Sequence, residues 1–182
     1  MRLFDEWTLE LIRSEGSHFS WFEEYRFDWI PSIADAMTQI MDSKAIVLIT
    51  DHERRWFSEY IITNLNKRTQ NRPMIPIVNL ESLYPHYDFI SGGESIDVLS
   101  DMLDIAFRGE YFFWYIGKGD DKRSHIAKRD ANSFIWTMDE TYQNALMLHS
   151  HDLLLDIKLL QLYTLFDKTL SGVLFGEIDV RE

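Results

Sequence analysis

The sequence between His149 and Glu182 carries apolar residues at helical spacing along most of its length, which predicts one long C-terminal helix. At about 100° per residue, these apolar positions fall on two faces. The first face comprises Leu155, Leu159, Leu162, Phe166, Leu170 and Val173, and the second comprises Leu153, Ile157, Leu160 and Leu174. One domain does not easily cover both faces, so we expect the helix to pack on its own core and also at a subunit interface. The alternative is a central helix in the large core of a monomer.

The composition narrows the class of protein. A chain of 182 residues is long enough for one well-buried domain, so we expect a single domain over residues 1–182. Its 30 acidic and 18 basic residues give a net charge of −12, which opposes direct binding to nucleic acid. The sequence has no cysteine, which excludes disulfides, thiolate metal sites and cysteine nucleophiles. Because no apolar run approaches the roughly 18 residues of a membrane span, we expect a cytoplasmic protein without membrane association.

Short apolar runs alternate with segments of helical periodicity over the rest of the chain. Ala45–Thr50 is a continuous apolar run, as expected for a central parallel strand that is covered on both faces. Further strands are predicted over 74–80, 111–116, 133–138 and 145–148, and Pro76 favours an edge position for the first of these. Helices are predicted over 3–13, from Trp29-Ile30-Pro31 to about Met41, over 53–66, 94–107 and 122–128, and from His151 onwards.

The order of these elements predicts an α/β fold. Two N-terminal helices precede a series of strands that alternate with helices, and the long helix closes the chain. We therefore expect a three-layer sandwich around a mostly parallel five-stranded sheet.

Ligands of open parallel sheets bind beyond the carboxyl ends of the strands, so the loops after the predicted strands are the candidate sites. Asp51, His52 and Glu53 offer an acid, a base and an orienting group, but a solvated loop and helix start explains them more simply. The segment 117–124 contains two glycines and Lys118, which could form an anion nest. Its two aspartates would repel phosphate, which favours an ordinary polar turn.

The start of the terminal segment also carries residues that could take part in chemistry. His149-Ser150-His151-Asp152 offers two imidazoles and a carboxylate, but this is not a complete zinc site, and helix capping by Ser150 is a simpler explanation. Asp156 and Lys158 could project into a cleft between subunits, where a salt bridge is a simpler role than catalysis. We therefore predict no catalytic, metal-binding or cofactor-binding residues.

Aromatic residues are numerous, with 6 Trp, 8 Tyr and 12 Phe. The run Tyr111–Tyr115 places them on both faces of one predicted strand. Aromatic side chains often anchor protein interfaces, so an acidic surface with aromatics to spare favours protein partners over small-molecule turnover.

The sequence resembles the HobA family of DnaA-associated proteins over nearly its whole length. The segments that carry the resemblance are His151–Leu162, Arg55–Ile62, Asn64–Asn66, Gly117-Lys118 and Ser133–Trp136. The resemblance implies a sugar isomerase (SIS)-like, flavodoxin-like fold assembled as a homo-oligomer, a tetramer in this family. It also implies binding to the N-terminal domain of the replication initiator DnaA, which promotes assembly of the initiation complex at the chromosomal origin.

The resemblance also allows the enzyme hypothesis to be assessed residue by residue. Phosphosugar-binding SIS domains hold phosphate with a Ser-x-Ser-Gly type of loop, whereas the matching stretch 117–121 lacks both hydroxyls and carries acids. Isomerases of this group place a Glu and a His on the terminal helix, where this chain has Asp156 and Lys158. A non-catalytic adaptor without a cofactor is therefore expected. The alternatives are an SIS-type phosphosugar isomerase or sugar-phosphate sensor, and a structural oligomer with another protein partner.

Leu174 and Phe175 are the predicted partner-binding residues. Gly172 and Gly176 are expected to weaken the helix around them and leave both side chains exposed. Their alternative role is a hydrophobic clasp onto a neighbouring subunit.

Overall fold

The structure, a computed structural model, describes residues 3–181. At its centre lies a five-stranded sheet in which every pair of neighbouring strands is parallel. The strands are β1 (Ala45–Thr50), β2 (Ile77–Asn79), β3 (Tyr111–Lys118), β4 (Phe134–Met138) and β5 (Ala145–Leu148). Their order across the sheet is β2-β1-β3-β4-β5, which is the doubly wound order of flavodoxin-like folds.

The central strands are buried on both sides, and their alternate side chains enter two separate cores. In β3, Phe112 and Trp114 point into a large hydrophobic cluster on one face of the sheet, and Phe113 and Tyr115 point into a smaller one on the other. This is the two-fold alternation of a strand, and it explains why β3 can be aromatic at every position from Tyr111 to Tyr115.

Helices cover both faces of the sheet. The large cluster is enclosed by α1 (Phe4–Ser14), α2 (Phe22–Met41), α3 (Arg55–Leu65) and α7 (Leu155–Leu174). The smaller cluster is covered by α4 (Leu80–Leu83), α5 (Gly93–Phe107) and α6 (Ser124–Lys128), together with the loop that carries Tyr87 and Ile90. The predicted three-layer α/β sandwich is confirmed, and its sheet is entirely parallel. No helix within residues 3–181 is long and apolar enough to cross a membrane.

The predicted start of the second helix is wrong. The helix begins at Phe22 and not near Pro31, which lies inside it. The buried face of this helix already starts with Phe22 and Trp29, before the proline. Pro31 and Phe27, whose carbonyl loses its helical donor, are both exposed, so water can bind that carbonyl.

The long terminal helix is confirmed, but it begins at Leu155 and not at His151. The residues before it form turns, in which the Asp152 carboxylate accepts a hydrogen bond from the Leu154 backbone N–H. The predicted capping role of Ser150 is wrong, because Leu154 is the N-cap residue of α7 and Ser150 lies in the preceding turn, where its backbone N–H donates to the Asp139 carboxylate. Local hydrogen bonds of this kind compete with helix formation and delay the first turn.

Strand β2 is shorter than predicted and lies at the edge of the sheet, as Pro76 indicated. It ends at Asn79, whose side chain accepts a hydrogen bond from the Glu81 backbone N–H and so begins α4. Pro76 directly precedes β2, and its carbonyl accepts a hydrogen bond from the Ile46 N–H of β1. The paired residues of the strand therefore begin only after the residue that lacks a donor.

Candidate functional site

The strand order locates the position where a ligand would be expected. From β1 the chain crosses to β2 on one side and later returns to β3 on the other, so the topological switch point lies between the carboxyl ends of β1 and β3. Ligands of open α/β sheets bind in the crevice at this point. Asp51 follows β1 directly, and Lys118 is the last residue of β3.

A carboxylate of the chain itself occupies this crevice. Asp51 accepts hydrogen bonds from the backbone N–H groups of Lys118 at 2.8 Å and Arg54 at 2.9 Å. The Arg54 guanidinium adds an ion pair with Asp51 at 3.0 Å, and both side chains are buried. Backbone N–H groups and a cation are the usual ligands of a bound phosphate. Here they are already bound to the Asp51 carboxylate.

Glu53 and His52 do not assemble with Asp51 into an acid–base set. Glu53 binds Lys118 at 3.1 Å and Arg54 at 2.6 Å. The hydrogen bond from Lys118, together with the charge of Arg54, lowers the pKa of Glu53 and keeps it ionised. His52 is exposed. The geometry is that of a salt-bridge network, in line with the simpler of the two explanations of this loop.

The glycines of the predicted anion nest have a packing role. Gly117 and Lys118 belong to β3 and not to a turn. A Cβ at Gly117 would lie 2.6 Å from the Tyr115 hydroxyl oxygen, and one at Gly119 would overlap the Glu140 side chain. Neighbouring side chains therefore fill the space that the missing Cβ atoms leave at both glycines.

The other candidate residues of the terminal segment form separate contacts. Lys158 binds Asp152 at 2.6 Å, and this hydrogen bond, followed by one from the Leu154 N–H, lowers the pKa of Asp152. The rings of His149 and His151 lie 5.5 Å apart and are exposed. Across residues 3–181 there is no group of three histidine or carboxylate side chains that could hold a metal ion. Lys158 therefore has the predicted salt-bridge role.

An exposed apolar surface runs across α3 and the start of α7. We call it the α3/α7 surface, and it comprises Trp56, Tyr60, Leu153, Leu154 and Ile157. Leu153 is fully exposed, and it borders a groove of about 410 Å³ together with Trp56. This surface contains two members of the predicted second apolar face. The other two, Leu160 and Leu174, are partly buried against the large cluster.

The end of α7 exposes one of the two predicted partner-binding residues. Phe175 is 55% exposed, whereas Leu174 is partly buried. Gly172 lies inside α7, where an added Cβ would be 3.1 Å from the Trp7 ring, so its small size allows α1 to pack closely on this helix. Gly176 ends it by adopting a positive φ of 72°, with its N–H bound to the Val173 carbonyl.

A second exposed apolar surface lies on the other side of the sheet and was not predicted. We call it the α5 groove, and it comprises Phe89, Val98, Met102 and Ile105. Phe89 is 80% and Ile105 is 83% exposed. The α5 residues are spaced four and then three apart, so they form one outward stripe. The sequence signal was present, because this stripe accompanies the buried stripe Ile96, Leu99 and Leu103, but only the structure shows that nothing covers it within residues 3–181.

Comparison with known proteins gives one consistent result. The family model described as HobA, a DNA replication regulator, matches residues 1–180. The DNA replication regulator protein HobA of Helicobacter pylori is 29% identical, over 98% of this chain and 99% of its own. The crystal structure of an H. pylori HobA–DnaA (domain I–II) complex matches with a TM-score of 0.76 and 27% identity, covering 98% of this chain and 99% of that one. H. pylori HobA matches with a TM-score of 0.73 and 26% identity, covering 98% of both chains. As the resemblance in sequence indicated, the chain belongs to the HobA family of DNA replication regulators.

Proposed function

We propose that this protein is a non-catalytic adaptor that binds the N-terminal domain of the initiator DnaA and promotes its assembly at the chromosomal origin. The observation that carries the proposal is the structural match, along nearly the entire chain, to HobA in complex with domains I–II of DnaA. The expected SIS-like α/β domain provides a rigid scaffold, and we place it in the cytoplasm.

We propose that the protein is not an enzyme because the crevice at the topological switch point, between the carboxyl ends of β1 and β3, is already filled by Asp51. The backbone N–H groups and the guanidinium that could bind a phosphate ester are bound to Asp51. The tyrosine beside this site, Tyr115, donates its hydroxyl to the Lys118 carbonyl at 2.7 Å. Burial raises the pKa of Tyr115 far above neutrality, so the hydroxyl stays protonated and cannot act as a base. No nucleotide, metal or other cofactor is required for the proposed activity.

Multivalency is the proposed mechanism. A homo-oligomer, which we expect to be a tetramer, holds several initiators together and raises their effective concentration. The α3/α7 surface is suited to contacts between copies, because it leaves Trp56, Leu153 and Ile157 exposed. Its acidic neighbours Glu53 and Asp152 are paired with Lys118 and Lys158, and such pairs reduce the repulsion between like charges in a symmetric contact. With a net charge of −12, the scaffold would act without touching DNA.

Leu174 and Phe175 are proposed to contact the partner, and the alternative is the inter-subunit clasp. The exposure of Phe175 is compatible with both roles. Changing both residues to Ala should weaken binding of the DnaA domain and preserve the oligomer mass if they contact the partner. A loss of oligomer mass would instead assign them to the clasp.

The experiment that tests the proposed function is light scattering coupled to size exclusion. The protein is measured alone and after mixing with the isolated N-terminal domain of its cognate DnaA. We expect a multimer that gains one domain per subunit. An unchanged mass at concentrations well above micromolar would contradict the proposal.

The second candidate, a phosphosugar isomerase or sensor, is tested by thermal unfolding with sugar phosphates. A ligand at 100 times its dissociation constant stabilises a protein by about 2.7 kcal/mol. We expect no such stabilisation, because Asp51 occupies the place of the phosphate. A clear upward shift of the midpoint would support the sensor hypothesis.

A further inference from the structure

We propose that the crevice at the carboxyl ends of β1 and β3 is a carboxylate-binding site that the chain fills with its own Asp51, and that a dissolved formate or acetate ion takes this place when the side chain is shortened. The site consists of the Lys118 N–H, the Arg54 N–H and the Arg54 guanidinium, which all bind Asp51. The proposed adaptor function does not use these groups to bind a dissolved ion, so the two proposals can fail independently.

The donors of the site come from two elements that are distant in sequence. The Lys118 N–H belongs to the end of β3 and donates to Oδ2 of Asp51 at 2.8 Å. The Arg54 N–H belongs to the turn after β1 and donates to Oδ1 at 2.9 Å, and the Arg54 guanidinium donates to Oδ2 at 3.0 Å. Both oxygens of the carboxylate are therefore bound, by three donors of which one is cationic. Proteins hold dissolved oxyanions with the same combination of backbone N–H groups and a guanidinium.

The charges at this site are removed from water. Asp51 is 3% and Arg54 is 4% exposed. Glu53, the other charged partner of Arg54, is itself exposed and also binds Lys118. A buried guanidinium that loses its counter-ion is destabilising, because its charge is left without compensation. Removal of the Asp51 carboxylate therefore leaves a formed site that lacks one negative charge, and a dissolved anion can supply that charge.

Gly117 provides the space in which the carboxylate lies. A Cβ added at Gly117 would lie 2.9 Å from both the Cβ and the Cγ of Asp51. The neighbouring hydroxyl of Tyr115 donates to the Lys118 carbonyl, so it does not compete for the donors of the site. Shortening of Asp51 therefore creates a cavity beside a glycine, with the three donors directed into it.

The size of this cavity follows from the atoms that are removed. Asp51→Ala removes the carboxylate group alone, which has the size of formate, and Asp51→Gly removes the whole side chain, which has the size of acetate. Phosphate and sulfate are larger than either group. A dianion would also meet the negative charge of Glu53, which binds the same guanidinium at 2.6 Å. The site therefore favours a small monocarboxylate over a phosphate.

Thermal unfolding of the full-length protein tests the proposal. Asp51→Ala and Asp51→Gly are each measured in sodium formate, sodium acetate and sodium chloride at equal ionic strength and neutral pH. We expect formate to raise the unfolding midpoint of both variants in a saturable manner. Acetate should raise only that of Asp51→Gly, because the Ala Cβ occupies the place of the acetate methyl group. At ten times the dissociation constant each rise should be roughly 3–6 °C, and chloride should not produce it.

Two variants and the unmodified protein are the controls. The unmodified protein has an occupied site, and Asp51→Ala with Arg54→Met lacks the guanidinium. Asp152→Ala is the matched variant, because Asp152 also accepts a backbone N–H, from Leu154, and binds a cation, Lys158, but is not fully buried. None of the three should respond to formate more than to chloride. If a shortened variant is unfolded in chloride, its refolding yield is compared in the same three salts.

Amide NMR of isotopically labelled Asp51→Ala locates the ion. Formate should shift the N–H resonances of Lys118 and Arg54 together, with the dissociation constant that the unfolding data give. Shifts that leave both resonances unchanged would overturn the proposed position of the ion.

The other outcomes are equally decisive. If formate and chloride stabilise Asp51→Ala equally, or if neither does, the proposal is overturned. It is also overturned if the unmodified protein and Asp152→Ala respond as strongly, because the ion then acts on the fold in general. Acetate that stabilises Asp51→Ala as well as formate does would show that the ion does not lie where the carboxylate was.

Discussion

The two sides of the sheet have very different helical layers. On one side, four helices bury a large cluster that includes the three tryptophans Trp29, Trp114 and Trp136. On the other side, α5, two short helices and a loop cover a smaller cluster, and α5 leaves an apolar stripe in water. Burial of apolar area is the main source of stability, so the first side carries most of it. The side that carries α5 contributes less and leaves apolar side chains exposed.

The two sides also differ in charge. On the large-cluster side, the groove of the α3/α7 surface is lined by residues of both signs, Glu53, Arg54, Asp152 and Asp156. On the other side, the exposed stripe belongs to α5, which has four acidic residues and no basic one. Hydrophobic exposure alone would not distinguish a contact between identical copies from a contact with another protein. Charge does, because only a different protein can supply the opposite sign along the whole edge.

The largest expected effect tests how much the large cluster contributes to stability. We call the side of the sheet with this cluster the thick side, and the side with the smaller cluster the thin side. Trp114 is fully buried, with its ring 4.5 Å from that of Phe166. Trp114→Ala should lower the free energy of unfolding by about 5 kcal/mol, at the upper end of such substitutions, and Phe113→Ala on the thin side by about 3 kcal/mol. Urea denaturation followed by circular dichroism measures both. Equal costs, or a larger cost for Phe113→Ala, would remove the energetic part of the comparison.

The next effect concerns Asp51, which lies at the carboxyl end of the central strand β1, between the two sides of the sheet. Asp51→Ala leaves the buried Arg54 with only Glu53 as a charged partner, and should cost about 3 kcal/mol. Replacing Arg54 by Met in the same protein should recover part of this loss, since it removes the unpaired charge. If Asp51→Ala unfolds at the same urea concentration as the unmodified protein, the carboxylate is not a structural group.

The two exposed surfaces are compared through assembly. Ile157→Glu on the α3/α7 surface should reduce the oligomer mass, while the unfolding free energy of the subunit itself changes by only about 0.5 kcal/mol or less. The matched change on the thin side, Ile105→Glu, should leave the mass unchanged. Light scattering decides the matter, and the reverse pattern would exchange the roles of the two surfaces.

The C-terminal ends of α7 and α5 give a paired prediction of opposite sign. Gly176 has a φ of 72° after α7, with nothing within 4 Å of an added Cβ, so Gly176→Ala should cost about 1 kcal/mol from backbone strain alone. Arg108 has a φ of 56° after α5, so Arg108→Gly should stabilise by up to about 1 kcal/mol. Thermal unfolding of the two variants provides the measurement. The same sign for both would show that side-chain contacts outweigh the strain.

The smallest effect is a pH dependence on the thick side. The hydrogen bond from Lys158 lowers the pKa of Asp152 in the folded protein. A lowered pKa contributes stability that is fully present above the unfolded value of about 3.9, and that is lost as the pH falls through the folded value. Asp152→Asn should therefore flatten the stability profile below about pH 4, by less than about 1 kcal/mol. Unchanged acid unfolding would mean that the pair adds nothing.

The sequence was a good guide to local structure. Strands β1 and β5 begin and end where the apolar runs predicted, because a short continuous apolar run between polar residues leaves little choice of boundary. The start of α2 was missed because Pro31 is a strong local signal, while the buried positions Phe22 and Trp29 that override it depend on tertiary packing. Early turns before α7 depend on hydrogen bonds that periodicity does not show.

The candidate site was harder to predict, since its parts are distant in sequence. The role of Asp51 depends on β1 lying beside β3, and the role of Gly119 depends on the approach of Glu140. Composition and periodicity carry no information about strand order. The acidic residues in these loops argued against a phosphate site by repulsion, and the structure adds that Asp51 fills the crevice between β1 and β3.

The carboxylate of Asp51 has a consequence for the competition between the chain and dissolved ligands at the crevice between β1 and β3. A group fixed to the chain is present at an effective concentration that no dissolved metabolite reaches, and it does not dissociate or become depleted. A dissolved phosphate ester would therefore have to displace a group that is always present before it could reach the backbone N–H groups of Lys118 and Arg54.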